Sequence, residues 1–89
     1  MALASKTRAV LRSRAQSLSP VVMVGHGGIT EGVVEALDKA LDDHELVKVR
    51  FQDFKDSTRT LSQELEKATS SELVATTGFT AVFYRKSDK

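Results

Sequence analysis

The segment Gly25-His26-Gly27-Gly28 is where residue type and spacing first suggest chemistry. Glycine tolerates φ > 0 and exposes main-chain N–H groups that a side chain would screen. A helical pattern begins directly after the loop, at Thr30. Helix N-termini hold unpaired N–H groups and partial positive charge, which attract phosphate. A G-x-x-G turn of this kind lets a nucleic-acid backbone lie against protein N–H groups. Contacts of that sort reach phosphate and sugar, so they position a nucleic acid more than they read it. A tight strand-to-helix turn in which glycine is simply required for φ > 0 would account for the same loop. Gly28-Ile29-Thr30 completes neither G-x-G-x-x-G nor a G-K-[ST] ending, which disfavours a dinucleotide or P-loop site.

Other chemically capable residues are scattered. His26 has no second His, Cys or paired carboxylate arranged with it in the sequence, so a flexible ligand-contacting role suits it better than catalysis. His44 ends an acidic helix, where a partly positive imidazole can face the terminal carbonyls. Asp42, Asp43, His44 and Glu45 are contiguous and diverge around a helix end, so no metal site is expected. There are no cysteines, hence no disulfide and no thiolate metal site. Neither a catalytic set nor a cofactor is expected.

The cations are better organised. Residues 1–29 hold Lys6, Arg8, Arg12 and Arg14 without an acid, whereas residues 30–45 hold six acids against Lys39. A net charge of +1 therefore hides a two-sided distribution, whose basic side would meet a polyanion. Arg8 and Arg12 are four apart, on one stripe of a helix, and are candidate phosphate contacts with Lys6 to one side. Arg14 falls among the apolar positions, so its stem should pack while its head reaches water. Lys48 and Arg50 could extend the patch or pair with acids such as Glu64 and Glu66. Phe51 and Phe83 read as core. Phe54 and Phe79 lie at turns and could stack on bases, although no aromatic cluster on adjacent strands is evident.

These residues need a scaffold. The chain of 89 residues, 40% apolar and 28% charged, suits a single soluble domain spanning 1–89. No apolar run approaches a membrane span. The acid-free N-terminus lacks a secretory apolar region. Its Val10, Leu11, Ala15 and Leu18 read instead as one face of a helix over roughly residues 6–18, with Ser5 as N-cap. After Pro20, Val21–Val24 reads as a strand covered on both faces. Thr30 suits the N-cap of a second helix carrying Val33, Val34, Leu37, Ala40 and Leu41. Leu46–Gln52 alternates strictly and reads as a half-buried strand. A third helix over 57–70 places Leu61, Leu65 and Ala68 on one side. Leu73–Thr77 and Thr80–Lys86 form a hairpin around Gly78-Phe79. The predicted order is α-β-α-β-α-β-β, with parallel first strands and an antiparallel hairpin, a four-stranded mixed α/β sheet.

The run from Pro20 to Val33, P-V-V-M-V-G-H-G-G-I-T-E-G-V, resembles the signature of the CRM (YhbY-like) RNA-binding domain family. So do H-E-L-V-K-V from His44 to Val49, the upstream Leu11, Arg12, Ala15, Leu18 and Pro20, and the closing F-Y-R from Phe83 to Arg85. The resemblance spans nearly the whole chain. It implies a fold similar to the C-terminal domain of bacterial translation initiation factor 3. It also implies that Gly25 and Gly28 are the fixed ends of the family's loop, with His26 and Gly27 in its variable places. Stand-alone bacterial members associate with precursors of the large ribosomal subunit. The resulting expectation is a cytoplasmic, non-enzymatic protein that binds ribosomal RNA through Gly25, His26, Gly27, Gly28 and Thr30, with Lys6, Arg8, Arg12, Lys48 and Arg50. Ribosomal proteins are possible further partners; no membrane or small-molecule substrate is expected. The alternative is a protein-interaction module that docks through the acidic second helix.

Overall fold

Alternation along the second strand divides the molecule into two layers around one sheet. Val47, Val49 and Phe51 point to one face and pack with Val22, Val24, Ala81 and Phe83 against Leu37, Leu41 and Leu65. Leu46 and Val82 point to the other face and pack with Val74 against Leu11 and Ala15. The computed structural model describes residues 5–53 and 57–86. Its elements are α1 (Ser5–Ala15), β1 (Val22–Val24), α2 (Glu31–His44), β2 (Leu46–Phe51), α3 (Thr58–Thr69), β3 (Glu72–Thr77) and β4 (Thr80–Tyr84). This is the predicted order.

The strand order is β1-β2-β4-β3. β1 runs parallel to β2, and β4 runs antiparallel to both β2 and β3. β1, β2 and β3 therefore share one direction, and β4 is inserted between two of them. Helices α2 and α3 cover the larger core, while α1 lies on the opposite face. Leu73 joins the first core and Val74 the second by ordinary alternation, and a register shift between Leu73 and Ala75 lets Ala75 follow Val74 onto the second.

Three features differ from the sequence expectation. β1 is an edge strand with one face open: Val22 and Val24 are buried, but Met23 is 47% exposed. A three-residue apolar run has no room to display an alternation, so it reads as fully covered. Helix α1 stops at Ala15, and residues 16–18 continue as turns through bonds such as Leu18 N–H to the Ala15 carbonyl. Leu11 and Ala15 are its buried residues; Val10 and Leu18 are exposed, and Ser5 is the first described residue of the helix, not the residue before it. The inner face of α3 is Thr58, Ser62, Leu65 and Thr69, whereas Ala68 is exposed.

Candidate functional site

The shared direction of β1, β2 and β3 brings three connections to one end of the sheet. The glycine loop follows β1, residues 52–53 follow β2, and the Gly78-Phe79 turn follows β3. Gln52 N–H donates to the Val24 carbonyl, and Phe51 N–H donates to the Phe79 carbonyl, so the three segments are stitched together.

Within the loop, Gly28 N–H donates to the Gly25 carbonyl at 3.1 Å, closing a turn. Gly28 takes φ 71°, which an ordinary side chain adopts only with strain. Gly25 and Gly27 are different. Neither has positive φ, and a Cβ on either would meet only ordinary contacts, 3.6 Å from Gln52 Oε1 and 3.7 Å from Thr30 Cγ2. The fold therefore explains one glycine of the three. Thr30 caps α2 as expected, its hydroxyl accepting from Val33 N–H at 3.2 Å. His26 lies in the open, and its Nδ1 pairs with the Asp53 carboxylate. Sequence reading missed this partner because Asp53 is 27 residues away and is brought near only by the parallel pairing of β1 with β2.

The cations divide into committed and outward-facing groups. The Arg8 guanidinium donates to the Leu73 carbonyl at 2.7 Å and to that of Val74 at 3.4 Å, fastening α1 to β3 at the register shift. Lys48 Nζ donates to the carbonyls of Ala15 and Leu18, both at 3.4 Å, and so closes the C-terminus of α1. Glu66, one of the acids with which Lys48 or Arg50 could have paired, instead accepts from Leu73 N–H at 2.6 Å. Lys6, Arg12, Arg14 and Arg50 are exposed. Arg14 and His44 face one groove beside Lys48, and Arg12 shares a second with Lys48. Arg50 lies beside Met23 and Phe79 in a third, which adjoins the glycine loop through Gln52. Phe51 and Phe83 are buried in the core; Phe79 is 38% exposed, and Phe54 lies outside the described residues.

Two acids of α2 are occupied by the chain's own C-terminal segment. Arg85 donates to Asp38 Oδ1 at 2.5 Å, Asp42 Oδ1 at 3.0 Å, the Asp38 carbonyl at 2.9 Å and the Thr69 carbonyl at 2.6 Å. The Asp38 hydrogen bond outweighs burial, and with the charges of both aspartates it holds the guanidinium pKa above its already high value.

The model of the CRS1/YhbY (CRM) domain matches residues 3–85. The chain belongs to this family. Among relatives, the Pseudomonas aeruginosa protein named probable RNA-binding protein PA4753 is 40% identical over 100% of this chain and 86% of its own length. Probable RNA-binding protein YqeI of Bacillus subtilis is 35% identical over 96% of this chain and 90% of its own. The CRM fold seen here also matches the solution structure of hypothetical protein SAV1595 from Staphylococcus aureus. That match has a TM-score of 0.87 and 38% identity, and it covers 98% of this chain and 92% of the other. In this CRM domain, the residues of the family signature divide between the glycine loop and the scaffold that carries it, with Arg85 on the scaffold side.

Proposed function

We propose that this CRM domain binds RNA without catalysing a reaction, gripping the phosphate backbone with the glycine loop and with exposed cations on the α1 side. The observation that carries this reading is the loop itself. Gly25 and Gly27 have no need for glycine within the fold, yet they stand bare beside a capped helix N-terminus. Close approach by an external backbone accounts for that economy of side chains. The names of the Pseudomonas and Bacillus relatives, which this chain matches over nearly its full length, support RNA as the partner.

At finer resolution, the proposed target is ribosomal RNA in precursors of the large subunit, met in the cytoplasm. The resemblance to stand-alone bacterial members supports that target. Docking of a protein on α2 has less support, because Asp38 and Asp42 are already held by Arg85. Sucrose-gradient fractionation of a lysate tests the target. The protein should travel with large-subunit precursors and return to the top of the gradient after nuclease treatment. Co-migration that survives nuclease would point to a protein partner instead.

A further inference from the structure

Strand register places Met23, Arg50, Thr80 and Thr77 in one row across all four strands, on the α1 side of the sheet. Helix α1 covers the part of that face formed by Leu46, Val74 and Val82, and it leaves this row open. Met23 is 47% exposed and Phe79, at the adjoining hairpin tip, is 38% exposed. Neither belongs to a core cluster, and the exposed part of their apolar surface has no partner within the described residues. Both line a groove with Pro20, Arg50 and Gln52. The neighbouring groove on the same face holds Arg12, Lys48, Thr77 and Thr80. Among the described residues, no acid lines either one.

An apolar peptide would find little use for the cations, and a bare phosphate chain would find none for Phe79 and Met23. A base with its flanking phosphates uses both. Every base offers a π face to an aromatic ring, whatever its identity. We propose that Met23 and Phe79 form a stacking platform for an unpaired stretch of RNA, with Arg50 and Arg12 holding the adjacent phosphates. The strand would run on to the glycine loop past Gln52, whose Oε1 lies 3.6 Å from the Cβ position of Gly25. This inference rests on the RNA-binding reading. It adds that the domain favours RNA with unpaired bases and is indifferent to their sequence.

The chain has no tryptophan, so Phe79→Trp supplies a single fluorescent reporter at the platform. Two probes suffice: an RNA stem–loop closed by a structured tetraloop whose bases are already stacked, and the same stem–loop extended by a single-stranded oligoadenylate tail. The tail should quench the Trp and raise affinity about tenfold, in line with the known strength of base–aromatic stacking. Phe79→Leu, which stays apolar but loses the ring, should remove most of the gain from the tail and leave only what Met23 and the phosphate contacts supply. It should leave stem–loop binding unchanged, with a cooperative melting transition showing that the variant stays folded. If the stem–loop binds but the tail neither quenches nor tightens, the platform is wrong and RNA binding stands. If most of the tail's gain survives in Phe79→Leu, the platform is likewise wrong. If neither probe binds the wild-type protein, both readings fall together.

Discussion

Gly27 and Gly28 are adjacent and answer to different demands. Gly28 sits at φ 71°, so Gly28→Ala should cost about 1–2 kcal/mol of stability through backbone strain. Gly27 has room for a Cβ and no positive φ, so Gly27→Asp should leave thermal unfolding within about 0.5 kcal/mol of wild type. The added carboxylate would face RNA phosphates, and a repulsion of about 1–4 kcal/mol should weaken binding about fivefold or more. Parallel melting curves and gel-shift titrations would check the pair; a Gly27→Asp protein that folds and binds normally would remove the loop from the interface. Ser62 presents the opposite situation. Its hydroxyl is fully buried in α3 without a hydrogen-bond partner among the described residues. Ser62→Ala should therefore raise stability by about 1 kcal/mol, read as a higher melting temperature.

Helix ends and clamps carry the predictions at the level of elements. Ser70 closes α3 in the left-handed region, at φ 53°, with its N–H bonded to the carbonyls of Glu66 and Lys67. Glycine takes that conformation without strain, so Ser70→Gly should stabilise by about 0.5–1 kcal/mol in denaturant titration. Arg85 ties the C-terminal end of β4 to α2 and α3 at once. Arg85→Lys should lose about 1–2 kcal/mol, because an ammonium lacks the planar fork needed to span both aspartates and a carbonyl. The guanidinium pKa is raised, so its contribution is complete below its ordinary, unfolded-state value and is lost only as pH rises through the raised one. The deficit of the Lys variant should thus stay constant over about pH 7–10. Sequence patterns revealed the Thr30 cap, the Leu46–Phe51 alternation and the Gly78-Phe79 turn, all of which depend on near neighbours. They could not reveal what Arg8, Lys48 and Arg85 hold, because those partners lie 16 or more residues away. Nor could they assign the inner face of α3, where Thr58, Ser62 and Thr69 turn inward and Ala68 outward.

Across the whole molecule, α1 with its arginines and α2 with its acids occupy opposite faces of the sheet, so the segregated charge of the sequence becomes a segregation in space. Binding to RNA should then weaken steeply with salt, log K falling by about 0.7–0.9 per phosphate contact per decade of salt. A flat response in titrations across salt concentrations would contradict an electrostatic grip. The charge asymmetry is legible in the order of the charged residues along the chain, but the strand order is not. Local patterns indicate which residues form strands; they do not say that β4 slips between β2 and β3. That insertion bears on how the chain is born. Of the four strands, the one that zips the two halves of the sheet together leaves the ribosome last. Until Tyr84 emerges, β2 and β3 have no common neighbour, and Arg85 has not arrived to draw α2 and α3 together. A nascent chain stalled before Thr80 should be as protease-sensitive as an unfolded one. The domain should acquire its resistance in a single late step, when the final strand is released.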